Sequence, residues 1–317
     1  MNIKSPTELN VKKNSYNING FILLDKPRGI SSNKALQQVK YLLKSTKAGY
    51  IGTLDPLATG MLPICLGQAT KFAQYLLNSD KRYYVVAKLG QRTDTADAEG
   101  KIISEHPLNF KISDVKKFLL SFIGEINQIP PMYSAIKWKS CPLYKYARKG
   151  IEITRKVRKI MVYNIHYVSL EDSELELEIH CSKGTYIRTL VEDLGSKIGC
   201  GAHVKALRRL QVGNYPTERM ITLDKLQRWT NPLLSKRDLN PLSLTSILMS
   251  VESAVSNFPE INLLKIITSD LKKGRSIKST TLFPPGLVRI TEGTQRKFVG
   301  IAEINEEGIV LPRRLVV

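Results

Sequence analysis

The sequence predicts an α+β chain: a mixed, largely antiparallel sheet flanked by helices, followed by a small all-β module at the C-terminus. Three observations carry that prediction. Strand-like and helix-like stretches mix without the strict alternation of a doubly wound sheet. Residues 174–180 (ELELEIH) alternate cleanly, with Leu175, Leu177 and Ile179 on one face. Towards the C-terminus the chain turns into short apolar runs separated by Gly and Asn. At 317 residues and 42% hydrophobic composition there is enough chain to bury a core, divided here into a large unit, 1–250, and a small one, 251–317.

Taken in order, Gly20 to Asp25 (GFILLD) is a short apolar run that reads as a buried strand. The turn Lys26-Pro27-Arg28-Gly29 closes it. Ser31, Ser32 and Asn33 are capping residues for a helix in which Leu36, Val39 and Leu43 recur at helical spacing. Tyr83 to Leu89 reads as a strand. After the alternating strand at 174–180, Ile187, Leu190, Val191 and Leu194 mark one helical face, with Gly195 and Gly199 as stops. The stretch from Thr230 to Pro259 is rich in Asn, Ser and Pro and places a linker. Leu287 to Thr291, Phe298 to Ile304 and Ile309 to Leu311 are short strands, joined by turns at Gly293 and Asn305 to Gly308. A module of this size suits a small barrel or a binding platform.

The chain carries 48 Lys plus Arg against 28 Asp plus Glu, a formal charge of +20 that speaks for a polyanionic partner. No apolar run approaches the roughly 18 residues of a spanning helix, and the N-terminus lacks an apolar signal core, so the expected setting is cytoplasmic with no membrane contact. Segment 131–160 holds nine cations against the single acid Glu152, with Tyr133, Trp138, Tyr144 and Tyr146 interleaved. Cations neutralise phosphates, and aromatic faces can stack on unpaired bases, so this stretch reads as an RNA contact. Lys205, Arg208 and Arg209 form a second basic set, and Arg313 with Arg314 a third. Cys65, Cys141, Cys181 and Cys200 are scattered, as are the four histidines, and only Cys200 with His203 has a suggestive spacing. The expectation is reduced thiols and no metal. The acidic run Asp94, Asp97 and Glu99 lacks the ligand set of a calcium loop and is read as structural.

Residues 49–60 (GYIGTLDPLATG) set Asp55 on a glycine-flanked loop. Two readings stand. Asp55 before Pro56 is a common helix start. The apolar periodicity that should follow is broken by Gly60 and Pro63, and a carboxylate on such a loop can serve as nucleophile or base.

GTLDPLATG, with the opening GFILLDKPRGISSNKAL and the later LGQRTDTADAEG, resembles the TruB family of tRNA pseudouridine synthases. The resemblance continues through IPPMYSAIK, LYKYARKGIE, ELELEIHCSKGTYIRTLVEDLG and CGAHVKALRRL to GLVRITEG and PRRLVV, covering nearly the whole chain. It implies a pseudouridine synthase fold with a C-terminal PUA barrel. The implied reaction is isomerisation of uridine-55 in the tRNA T loop, on a flipped-out nucleotide and with no cofactor or metal. It makes Asp55 the catalytic carboxylate, Tyr83 the residue that stacks on the target base and assists a proton transfer, and Arg188 the partner that orients Asp55. Lys26 and Pro27 would buttress the catalytic loop, while Tyr186 and Leu207 would line the uridine pocket. Tyr50 stands where the family usually has His and is expected to touch substrate. The basic stretch matches the insertion that grips the T-arm, through Lys137, Lys139, Lys145, Arg148, Lys149 and Arg155, with Arg208 and Arg209 as further RNA contacts. The expected partner is tRNA, with no obligatory protein partner and a monomeric chain. A protein that only binds and folds tRNA would use the same basic surface without needing Asp55.

Overall fold

The computed structural model describes residues 18–230, 246–278 and 283–316. The chain runs β1 (Gly20–Lys26), α1 (Ser32–Leu42), β2 (Ala48–Tyr50), β3 (Thr59–Leu66), α2 (Ala73–Leu77), β4 (Lys81–Leu89), β5 (Gln91–Thr93), β6 (Ile102–Glu105) and α3 (Ile112–Leu120). It continues through β7 (Gly124–Gln128), β8 (Lys137–Trp138), β9 (Cys141–Pro142), α4 (Leu143–Ala147), β10 (Arg158–Glu171), β11 (Glu174–Cys181), α5 (Ile187–Ile198) and β12 (Ala202–Val212). β13 (Ile221–Thr222), α6 (Leu223–Thr230) and β14 (Leu248–Met249) follow. The C-terminal part is β15 (Glu260–Leu263), α7 (Lys265–Lys272), β16 (Ile277–Lys278), β17 (Gly286–Glu292), β18 (Lys297–Ile304) and β19 (Ile309–Leu315).

Ten strands form one mixed sheet in the order β13-β1-β3-β12-β4-β11-β10-β7, with β14 beside β1 and β2 beside β3. All pairs are antiparallel except β1 with β13 and β12 with β3. Both faces of its centre are covered, which is why β1 reads as a continuous apolar run and not as an alternation. Ile22 and Leu24 join Val85, Leu177, Ile179, Ile187, Leu190 and Leu194 in one core, on the side of α1, α3 and α5. Phe21 and Leu23 join Met61, Phe72, Val212 and Tyr215 in a second core on the other side.

A second sheet, β15-β17-β18-β19-β16, builds the small C-terminal unit around Val288, Ile290, Val299 and Ile304. It also carries the helix α7, whose single fully buried apolar residue, Leu271, leaves too weak a pattern to find from sequence. Phe72 meets Phe298 at 5.5 Å and Tyr75 meets Phe258 at 5.6 Å between ring centres, so aromatic rings at α2 pack against β18 and the segment before β15. The expected linker lies partly outside the described residues, at 231–245. Within 246–259, β14 pairs with β1, and Ala254 and Val255 are buried in the core of the large unit.

Gly199 ends α5 in the left-handed region at φ 92°, but Gly195 lies inside the helix and does not stop it. It is there for closeness: a Cβ at 195 would stand 2.2 Å from the Ala202 nitrogen. Among the described residues no helix is long and apolar enough to cross a membrane, and no group of His, Cys, Asp or Glu is placed to hold a metal ion.

Candidate active site

Asp55 starts no helix. It sits on the loop between β2 and β3, where the Ala58 amide donates to its carbonyl at 3.1 Å in a single turn. The residues on either side of it are pinned. The Ser32 hydroxyl donates to the Leu54 carbonyl at 2.9 Å and accepts from the Leu54 amide at 2.8 Å. Ser31 takes the helix cap, accepting from the Lys34 amide, and this leaves Ser32 free for the loop. On the other side, the Gly29 amide donates to the Pro56 carbonyl at 2.8 Å. Lys26 is fully buried, and its Nζ donates to the carbonyls of Pro27 and Ile30 at 2.8 Å and of Pro56 at 3.4 Å. Burial lowers the Lys26 pKa from 10.5 to about 8, against the attraction of Asp55 and Glu99. The turn Lys26–Gly29 therefore buttresses the loop through hydrogen bonds to its backbone.

Arg209 corrects an expectation. A basic residue in an ALRRL run reads as surface charge, yet Arg209 is 1% exposed. Its Nε donates to the Met61 carbonyl at 2.7 Å, and its Nη2 to the carbonyls of Gly52 (2.9 Å) and Ile51 (3.3 Å). It ties together the two ends of the Asp55 loop, and its charge reaches the phenol of Tyr83, its register partner. Three carbonyl acceptors satisfy the buried cation without a carboxylate. Gly60 makes room for it: at φ 96°, a Cβ there would lie 2.2 Å from the Arg209 carbonyl oxygen. Arg208, next in the chain, forms a bidentate pair with Asp25 at 2.8 and 2.9 Å, and its side chain is partly exposed.

Arg188 lies at the start of α5 and is 5% exposed. Its Nε stands 3.0 Å from Asp55 Oδ2 and 3.7 Å from Asp97 Oδ2. Nη1 donates to the Thr95 carbonyl at 3.0 Å and Nη2 to the Tyr133 carbonyl at 2.7 Å. One planar side chain thus joins the Asp55 loop, the 94–100 loop and the start of the basic insertion. Its helix neighbour Glu192 bonds Arg92 instead, at 2.8 Å. Burial raises the Asp55 pKa above its ordinary value; Arg188 opposes the shift and Asp97 adds to it. The Asp55 side chain nevertheless stays 37% exposed.

Tyr83 on β4 is buried, and its register partners are Arg209 on β12 and Ile179 on β11. Burial raises its phenol pKa, with Arg209 acting in the opposite sense. Leu207, also buried, lies two residues before Arg209 on β12. Tyr186 caps α5: its amide donates to Gln128 Oε1 at 2.8 Å, and Gln128 Nε2 donates back to its carbonyl at 3.0 Å. Its half-buried ring is close enough to Asp55 and Arg188 to feel their charges. Tyr50 is half-buried, paired with Ile64 at the start of the Asp55 loop. Pro27 belongs to the buttressing turn.

The insertion places Lys137, Lys139, Lys145, Arg148 and Lys149 at the surface, while Arg155 is half-buried and pairs with Glu152 at 2.9 Å. The sequence reading missed Asp97, Gln128 and Ser32. Asp97 is 4% exposed, accepts from the Thr95 hydroxyl at 2.7 Å and the Glu99 amide at 3.0 Å, and adds a second carboxylate to Arg188.

Buried cations, pinned loops, one buried tyrosine and one half-buried tyrosine surround one partly exposed carboxylate. The model of the TruB family pseudouridylate synthase N-terminal domain matches residues 40–187. The tRNA pseudouridylate synthase B C-terminal domain matches 188–256, and the C-terminal domain of pseudouridine synthase II TruB matches 259–316. The chain is 53% identical over 310 residues to a Serratia proteamaculans protein named tRNA pseudouridine synthase B, covering 96% of this chain and 98% of that one. It is 55% identical to the protein of the same name from Yersinia pestis (strain Pestoides F), covering 96% and 94%. Among solved structures, an H/ACA ribonucleoprotein bound to a substrate RNA containing 2′-deoxyuridine shares the fold with a TM-score of 0.72 at 22% identity, covering 94% of this chain and 85% of that one. The archaeal box H/ACA Nop10–Cbf5 complex does so at 0.70 and 23%, covering 94% and 86%.

Proposed function

The chain belongs to the TruB family of pseudouridine synthases, and from that premise we propose that it isomerises uridine-55 in the T loop of tRNA to pseudouridine, with Asp55 as the catalytic carboxylate. The observation that carries the reading is the Asp55–Arg188 pair at 3.0 Å, on a loop held by both flanks, with the Asp55 side chain still partly exposed. The reaction breaks the N1–C1′ bond of uridine, forms a C5–C1′ bond, releases the proton from C5 and places one on N1. It is redox-neutral and moves only atoms of the nucleotide, so the work lies in positioning, in charge and in two proton transfers.

The residues divide that work. Arg188 holds one oxygen of Asp55, leaving the other for the substrate, either at C1′ of the sugar or at C6 of the base. Tyr83 and Leu207 supply an apolar wall for a base turned out of the T loop, and such flipping costs a few kcal/mol that contacts in the pocket must offset. The Tyr83 hydroxyl, beside the Arg209 cation, is the group we assign to take or relay the C5 proton. Tyr186 closes the pocket at the start of α5. Holding the detached uracil while it rotates needs a closed site, which the insertion after Tyr133 and a tRNA surface together provide. Tyr50, beside the loop, is the side chain placed to meet the nucleotide's neighbours.

The test of substrate and position is to incubate the protein with a tRNA transcript and map pseudouridine by carbodiimide adduct and primer extension. A single new stop one nucleotide 3′ of position 55, lost in a transcript carrying cytidine at 55, supports the reading. Stops elsewhere, or none, reject it. A protein that only folds tRNA would bind the transcript and leave every uridine unchanged.

A further inference from the structure

Ser134 and Tyr186 reach the site from two separate segments, and both backbones are fixed. The paired hydrogen bonds with Gln128 clamp the Tyr186 peptide, and Gln128 is itself 2% exposed. At Ser134 the amide donates to the Met132 carbonyl at 2.9 Å, and the carbonyl accepts from the Tyr144 amide at 3.1 Å. The carbonyl just before it, that of Tyr133, accepts from Arg188 Nη2 at 2.7 Å. Ser134 therefore follows directly on the residue that helps to seat the partner of Asp55. With both peptides held, the side chains are what can move. Ser134 is 5% exposed, and its buried hydroxyl oxygen has no hydrogen-bond partner among the described residues. Its neighbour is the Tyr186 phenol: burial raises the pKa of that phenol, and the Ser134 hydroxyl is the first group to oppose the rise. Two hydroxyls thus stand together, one of them buried and unpaired. An unpaired buried hydroxyl costs the folded chain stability, and alanine would occupy the same place without that cost. Either hydroxyl can donate or accept, so a turn of the serine and a tilt of the half-buried ring suffice to pair them.

We infer that Ser134 is a positioning residue for Tyr186: its hydroxyl pairs with the Tyr186 hydroxyl when RNA enters the site, and the bond holds the ring against the nucleotide. The free protein keeps the serine unpaired, and the bound state recovers that cost at the step where the ring must be fixed. The inference rests on the reading of the protein as a tRNA-modifying enzyme, but one of its two readouts needs no product.

The experiment compares the full-length protein with Ser134→Ala, Ser134→Thr, Tyr186→Phe and the double variant of Ser134→Ala with Tyr186→Phe. On a tRNA transcript, Ser134→Ala should lose about three- to tenfold in kcat, the worth of one hydrogen bond between neutral groups, with KM nearly unchanged. Its free form should melt no lower than wild type. Tyr186→Phe should lose as much, and the double variant no more than either alone, because both changes remove the same bond. Ser134→Thr keeps the hydroxyl and should restore the rate; if its methyl group lowers the melting temperature, the alanine cycle decides. Wild-type kcat in Ser134→Ala, losses that multiply in the double variant, or a loss in Ser134→Ala without one in Tyr186→Phe would overturn the inference. The second readout is fluorine NMR of protein labelled with 3-fluorotyrosine, the Tyr186 signal being assigned by its loss in Tyr186→Phe. The separation between the wild-type and Ser134→Ala signals should widen when the transcript is added. A separation that stays the same would overturn the inference whatever the activity. A separation that widens in a protein forming no pseudouridine would uphold it and reject the catalytic reading alone.

Discussion

Replacing Arg188 by leucine should weaken both the fold and the reaction, by an amount the contacts set. Arg188 is buried and ends on two carboxylates and two backbone carbonyls. Leucine fills part of the space but leaves Asp97 as a buried charge with no cation and the carbonyls of Thr95 and Tyr133 without this donor. Breaking a buried ion pair from one side costs about 3–5 kcal/mol, and each lost hydrogen bond to a charged donor would add about 1.5–3 kcal/mol if nothing relaxed. The Asp55 end counts for less, because its side chain is more than a third exposed. Relaxation of the three loops leaves about 3–5 kcal/mol as the whole effect, a fall in Tm of roughly 4–8 °C for a chain of this size. Circular dichroism on heating, beside product formation on tRNA, measures both. Arg188→Lys should fall between, since an ammonium keeps the charge but not the flat, three-way geometry. Arg188→Leu with a stability loss below about 1 kcal/mol, or with activity kept, would refute the claim that this side chain holds the site together.

Other expectations follow from the same geometry. Because burial raises the Asp55 pKa, the acid limb of kcat/KM should lie above the ordinary carboxylate range near 4, and a limb at or below 4 contradicts it. A raised folded-state carboxyl pKa also means that the unfolded chain holds fewer protons in that window, so stability falls as pH rises through it. Asp55→Asn should flatten that fall, as urea unfolding between pH 4 and 7 would show. For Lys26 the sign is opposite: with a folded value of about 8 against 10.5, the unfolded state holds more protons, and wild type should gain up to about 3 kcal/mol relative to Lys26→Met between pH 8 and 10.5. Gly60→Ala should destabilise by about 2–4 kcal/mol, since its Cβ meets the Arg209 backbone at 2.2 Å in a left-handed conformation; a neutral result would mean that Arg209 is not seated as described.

Much of this was legible because it is local. The run at β1, the alternation at β11 and the apolar face of α5 each follow from a short period in the sequence, and all three are where the periods place them. The Asp55 loop was half legible: Gly60 and Pro63 argued against a helix, and none forms. What could not be read is non-local. Arg209 looks like surface charge until the fold brings three carbonyls of a loop some 150 residues away around it. Asp97 looks like one acid of a solvated run until α5 delivers Arg188 to it. Ser32 looks like one more capping hydroxyl beside Ser31, and only the path of the 51–58 loop over α1 shows which serine does which. In each case the chemistry of the residue is visible in sequence and its partner is not.

The most direct test of the central claim is tritium release from a tRNA transcript labelled at uridine C5, comparing wild type with Asp55→Asn at matched binding. Moving the glycosidic bond to C5 must free the hydrogen held there. Wild type should release one equivalent per tRNA and Asp55→Asn none, while tRNA binding stays within a few-fold. Release by both proteins, or by neither with tight binding kept, would contradict Asp55 as the catalytic group.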